Sequence, residues 1–294
     1  TNTLMRLIIL CLLAPFTDVL EAVSSLLVPE KHTDEEDLTV RLEERFLSHP
    51  ALAIEQSRDV ICNMAEQTDA AVKEAAGLLI RYTDAGFNRV KELEAAGDRC
   101  EDTLGSNLVK LTLQEMTERQ SREASIFLHT LSDFERVSDH ALNIAKSAQE
   151  LHDKNLSFSD DAKRELRVMI DATLEALRLT TEAFVNSNLD QAVQVEPLEE
   201  LIDDLCDEMK LRHVERLQRG QCTIVLGFVF NDLLTSFERI SDHCSNIAVA
   251  MIELNSGVFD THEYLGQIRE KRSPDFERYY EAFRERFSLW EEQE

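Results

Sequence analysis

Apolar side chains return every three or four positions from residue 51 to about residue 254, the period of a helix that buries one face. Strand-like alternation is scarce over the same span. No proline stands between Pro50 and Pro197, so nothing in that stretch forbids long helices. Small polar joints near 85–87, 116–121, 155–160, 187–189 and 220–222 divide the span into six long helices. The fold class predicted is all-α.

The pattern also repeats. Residues 134–145 read FERVSDHALNIA and residues 237–248 read FERISDHCSNIA, an offset of 103. Upstream the offset is 105: Val90, Leu93 and Glu94 fall on Val195, Leu198 and Glu199, and Met64 and Thr68 fall on Met169 and Thr173. A joint shorter by two residues would account for the change. The body is read as a tandem duplication of a three-helix unit, residues 51–154 and 155–255, forming two antiparallel three-helix bundles side by side.

The flanks break the period. Within residues 1–28, the apolar run 7–14 stops at Pro15 and falls short of the ~20 residues needed to cross a bilayer. It reads as the end of a membrane-embedded segment with an interfacial continuation, or else as an amphipathic leader packed on the body. Residues 29–50 form an acidic linker between two prolines. In residues 256–294, Phe276, Tyr280, Phe283, Phe287 and Trp290 make one helical stripe, either a helix packed on its own bundle or a face for a partner helix.

Charge narrows the partners. Against 31 basic residues stand 57 acidic ones, a net charge of −26 spread along the chain, which argues against nucleic acid and invites cations. The six cysteines form no CxxC pair and read as reduced thiols within helices. Nucleotide loops, GxSxG and HExxH are absent, and no histidine has a glutamate three residues before it, as a ferritin-type di-iron site requires. No enzymatic activity is expected.

The acids fall into ladders at i, i+4 and i+8. Glu94, Asp98 and Asp102 form one on the second helix, and Glu199, Asp203 and Asp207 its copy; Glu135, Asp139 and Asn143 form one on the third helix, and Glu238, Asp242 and Asn246 its copy. With Glu135 at the origin and ~100° per residue, Asp139 lies near ~40° and Asn143 near ~80°, while Phe134, Val137, Ala141 and Ile144 gather at about 180–260°. The ladders therefore point away from the core. Like charges at i and i+4 repel, yet the acids persist in both copies, and facing ladders on antiparallel helices supply the oxygens a hard cation takes. A divalent or trivalent ion is expected there, with iron, zinc and magnesium all open. His140 and His243 stand beside the ladders, as auxiliary ligands, as donors to a carboxylate, or as boundary residues. Salt bridges from Arg136 and Arg239 are the rival account of the acids.

The two quoted motifs resemble the repeated E/DxxxD signature of PhoU, the bacterial phosphate-uptake regulator family. The resemblance implies two tandem three-helix bundles and metal clusters bound by Glu94, Asp98, Glu135 and Asp139 in the first unit. In the second it implies Glu199, Asp203, Glu238 and Asp242, with Asp102 and Asp207 as extensions. The leader LLAPFTDVLEAVSSLLVP, followed by LEERFLSHPALAIEQ, is similar to the junction in bacterial sodium/phosphate cotransporters, where a PhoU-like domain follows the last membrane segment. That likeness implies a regulatory domain on the cytoplasmic side of the inner membrane, tethered through its N-terminus, with a membrane transport domain as partner and self-association open. The alternative is a stand-alone metal-binding adaptor acting on a phosphate sensor kinase and an ATP-driven phosphate importer.

Overall fold

The computed structural model describes residues 49–256 and 273–289. The leader, nearly all of the acidic linker, and Trp290 lie outside the described residues. Among those described, no helix is long and apolar enough to cross a membrane.

Six long helices carry the body: α1 Pro50–Ile80, α2 Asp84–Thr112, α3 Glu118–Asp153, α4 Asp160–Asn186, α6 Val195–Gln218 and α7 Ile224–Ser256; α5 Leu189–Ala192 is a single turn, and α8 is Pro274–Arg286. Local chemistry sets the starts. Pro50 occupies the first position of α1, where its missing N–H costs nothing. Thr83 caps α2 by accepting from the Gly86 amide at 3.1 Å, which draws residues 85–87 into the first turn and moves that joint back to 81–83. Thr117 and Gln120 form a reciprocal capping box on α3. Ser187 ends α4 in the left-handed region at φ 53.

The second unit departs from the first at two places. At an offset of 105, the start of α2 corresponds to α5, so α5 and α6 together are the copy of one unbroken helix. Pro197 explains the interruption: it has no N–H for the carbonyl four residues back, that of Val193. The other departure corrects the expected shorter joint. Both joints, 113–117 and 219–223, hold five residues; the two missing residues come from α7, which begins a turn later than α3, while α6 ends one residue beyond the point that matches the end of α2.

Helices α3 and α7 are central, each packing on the other helices of its unit and on one another. Equivalent core positions are filled alike: Met64 and Met169, Phe134 and Phe237, and Phe127 and Phe230 are all at most 3% exposed. Each such side chain contributes roughly 1.5–3 kcal/mol by leaving water. The apolar clusters cross the seam, Phe184 and Ile247 joining Phe134 in one and Val137 and Ile144 joining Phe237 in the other. Gly86 sits in close packing: a Cβ there would lie 2.6 Å from the Glu74 carboxylate and 2.8 Å from Leu78, so a larger residue must displace both side-chain ends.

Helix α8 packs on α6. Phe276, Phe283 and Phe287 are buried, and Arg286 reaches Glu175 of α4 at 3.1 Å. Of the two readings of the aromatic stripe, the described part follows the first, a helix packed on its own bundle.

Candidate metal centre

Antiparallel packing of α2 on α3 brings their ladders together, and α6 on α7 does the same. Among the described residues two groups of acids result, Glu94, Asp98 and Asp139 in the first repeat and Glu199, Asp203 and Asp242 in the second, each with carboxylate oxygens within 4.8 Å of one another. The groups are equivalent member for member under the duplication. Asp98 and Asp203 are exposed, so each group opens to solvent on one side, while Glu199 is buried at 4% exposure. The seam between the helices thus takes in one end of a ladder that helical angles alone point fully outward.

Oxygens around a hard cation at about 2.0–2.6 Å stand at most about 4–5 Å apart across the ion. The spacing in both groups meets that limit without backbone movement. All the donors are carboxylate oxygens, which suits magnesium or iron(III) better than zinc.

The other expected ligands sit outside these groups. Burial, then the charge of Asp139, pushes the Glu135 carboxyl up to about 7. Glu238 goes the opposite way. Burial acts to raise it, but bonds from the Cys206 thiol and the Lys210 ammonium, both 3.0 Å from its Oε2, outweigh burial and lower it. The duplication explains the contrast: Cys206 and Lys210 stand where the first repeat has Glu101 and Gly105. Asp207 is 3.8 Å from the same Lys210, and Asp102 adds its charge to Asp98. Lys210 and Cys206 were not legible as site residues, because neither is duplicated.

The first group keeps an excess of negative charge. Glu94 is raised by burial and then by Asp98 and Asp139, and Asp98 by burial and then by Asp139 and Asp102. The arginine account applies unequally. Arg239 bonds Asp242 at 2.8 Å, whereas Arg136 stands 3.5 Å from Glu135 and 3.9 Å from Asp139.

The histidines meet across the seam between α3 and α7, their rings stacked at 6.0 Å. His243 donates through Nδ1 to Asp133 at 2.9 Å, and Asn246 approaches the same carboxylate at 3.5 Å. Burial and then His243 hold His140 below the usual histidine range. Asn143 is exposed. None of these four belongs to either acid group, and Asp133, the shared partner of His243 and Asn246, was missed because it precedes the repeated motif.

Comparison with known proteins agrees with the architecture. The chain is 27% identical over 139 residues to a phosphate-specific transport system accessory protein PhoU homolog of Thermotoga maritima, a match spanning 47% of this chain and 59% of that protein. It is 26% identical over 201 residues to a homolog of the same name in Xylella fastidiosa, covering 67% of this chain and 82% of the relative. The crystal structure of PhoU from Pseudomonas aeruginosa superposes with a TM-score of 0.67 at 21% identity, covering 71% of this chain and 99% of that one. PhoU from Streptococcus pneumoniae gives 0.63 at 17%, covering 72% and 99%. The PhoU domain itself matches twice, at residues 61–148 and 166–251, one copy for each three-helix repeat. These two copies take up more than half of the sequence, and the chain belongs to the PhoU family.

Proposed function

We propose that this protein is a regulatory accessory of phosphate transport whose two acidic groups hold hard metal ions. The observation that carries the metal reading is the recurrence of three convergent carboxylates at equivalent positions of both repeats, in surroundings that otherwise diverged. Glu94, Asp98 and Asp139 would hold one ion and Glu199, Asp203 and Asp242 the other, with water completing the coordination. A bound cation supplies positive charge. The chain's own part is to present preformed oxygens at a helix seam and to keep that face repulsive to acidic surfaces until it is neutralised.

The names of the relatives support an accessory to a phosphate-specific transport system, acting through protein contacts. A second reading, a regulatory domain joined to a sodium/phosphate transport domain at the inner membrane, is favoured by the apolar run at residues 7–14 ahead of the matched repeats. Recovery of the natural protein in the membrane fraction after a carbonate wash supports the second reading; recovery in the soluble fraction supports the first.

Metal binding is tested by elemental analysis and calorimetry with magnesium, manganese and iron. The comparison is between the protein and a variant carrying Glu94→Ala, Asp98→Ala, Glu199→Ala and Asp203→Ala. The protein is expected to hold metal that the variant has lost. Equal metal content in both, with the variant's helical circular dichroism intact, would falsify the assignment.

A further inference from the structure

A cleft of about 530 Å³ opens where the two repeats meet at their helix ends, away from the acidic groups. Arg58 of α1 and Arg119 and Arg122 of the first turns of α3 line it, with Glu123 as the lining carboxylate. Phe127, Phe184 and Met251 contribute apolar wall. In a chain with 57 acids and 31 bases, three guanidiniums around one cleft run against the composition.

The cationic side is organised. Arg58 donates through Nη2 to the Phe184 carbonyl at 3.0 Å and to the Ser187 hydroxyl, and its guanidinium stands 5.7 Å from the Phe184 ring centroid. Arg119 bonds Glu123 at 3.1 Å in an exposed i,i+4 pair, a contact that an incoming anion displaces at small cost. The positive end of the α3 dipole adds to the field at the same place.

The arginine set is not inherited from the three-helix unit. At the offsets of the duplication, Arg58 falls on Lys163 and Arg122 on Val225, and the turn that bears Arg119 has no helical counterpart in the second repeat. The acidic ladders were kept in both copies; the arginine set belongs to one.

We propose that this cleft binds a small phosphate-bearing organic molecule, its phosphoryl group on Arg58, Arg119 and Arg122 and its body against Phe127, Phe184 and Met251. Guanidinium forks match phosphoryl oxygens in charge and geometry. Inorganic phosphate would leave most of the volume and all of the apolar wall in water. An uncharged ligand would make no use of the guanidinium forks. Because α3 of one repeat and α4 and α7 of the other both line the cleft, an occupant ties the repeats together at that end. Met251 lies nine residues beyond Asp242, or ~14 Å along the helix, so the cleft and the acidic groups fail or stand separately.

The test is calorimetry on metal-free protein with AMP, ATP, glucose 6-phosphate, adenosine, glucose and inorganic phosphate. At least one organic phosphate is expected to bind at least ~10-fold more tightly than its unphosphorylated counterpart and than inorganic phosphate. Arg119→Ala with Arg122→Ala, two changes on the rim, is expected to weaken that binding at least ~10-fold while thermal unfolding and metal content stay unchanged. Arg58→Lys, which keeps the charge but not the fork, is expected to weaken it to a smaller extent. Failure of all three organic phosphates to bind at ~1 mM, or binding untouched by the double arginine change, overturns the proposal. So does binding of a synthetic peptide of residues 32–44 when the phosphates fail, which would place an acidic protein segment in the cleft.

Discussion

The second bundle contains a buried ion pair that the first does without. Glu165 of α4 and Arg216 of α6 make two parallel bonds of 2.7 Å, and their side chains are only 1% and 4% exposed. Arg216 also stands 5.5 Å from the Phe230 ring centroid. At the offset of 105 the first repeat places Val60 and Leu111 at these positions, Leu111 buried in the core and half-buried Val60 packed against it. Removing one partner alone, by Glu165→Val or Arg216→Leu, strands a charge at a site water barely reaches and is expected to cost about 3–5 kcal/mol. In a body of this size that lowers the melting temperature on the order of 10 °C. Changing both together recreates the apolar solution of the first repeat. Desolvation of two ions is then avoided, so the double variant is expected within about 1 kcal/mol of the parent, or above it. Urea unfolding followed by circular dichroism at pH 7, arranged as a double-mutant cycle, reads the coupling directly. Single changes costing less than about 1 kcal/mol, or a double change as damaging as the two singles summed, would refute the view of the pair as mutually dependent charges in a site that tolerates a hydrophobic replacement.

Four further outcomes follow from the same geometry. A carboxyl held up to about 7 stabilises the fold only while protonated: the contribution is complete below the usual glutamate range and is lost as pH rises through 7. The metal-free protein should therefore unfold at lower urea at pH 8 than at pH 5.5, by no more than about 2 kcal/mol since Glu135 keeps a solvent edge, and Glu135→Gln should flatten the trend; a parent midpoint that is flat or rising over that range speaks against it. Lys210→Met should strengthen metal binding at the second acidic group by releasing Glu238, read as a lower dissociation constant in calorimetry, and an unchanged constant would show that Lys210 exerts no control there. Burial pushes both the Cys206 and the Cys244 thiols up to about 12, so iodoacetamide at pH 8 should label half-buried Cys222 in the native protein and spare these two until urea unfolds it; early labelling of either contradicts the packing. Phe283→Ala with Phe287→Ala should release α8, whose 13 residues are too few to hold a helix unsupported; loss of amide-exchange protection over 274–286 with α6 still protected is the expected signature, and retained protection would mean that the bonds from Arg286 to Glu175 and from the Tyr280 hydroxyl to Asp204 suffice.

Much of the fold was legible because duplication leaves a mark that needs no structure. The offsets of 105 and 103 place Met64 on Met169 and Phe134 on Phe237, and all four are buried. The single turn 189–192 was not legible as a separate element, since its interruption depends on one absent N–H at Pro197 within an otherwise helical pattern. For the site, periodicity selects the right faces. It does not fix how far one helix slides along another, and that register decides that Asp139, not Glu135, meets Glu94 and Asp98. Side chains that approach from a neighbouring helix, as Lys210 does to Glu238, carry no periodic signal at all.

The two repeats are best understood as one solution kept and then made unequal. What was kept is geometric: three acids in the same relative positions on paired helices, and the aromatic core that fixes the register between them. What changed is charge. The first repeat surrounds its third-helix glutamate with Glu101 and with Asp98, whereas the second gives the equivalent glutamate a thiol and an ammonium. Core ionisation changed in the opposite place, the second repeat taking in Glu165, Arg216 and His213 where the first is apolar. A pair of identical cation sites would neutralise over one narrow range of ion concentration. On the metal reading proposed above, sites of unequal negative potential would fill in sequence, the first repeat before the second, and would spread the neutralisation of the acidic face over a wider range. Under that proposal, divergence after duplication would grade the response while the helical frame is left alone.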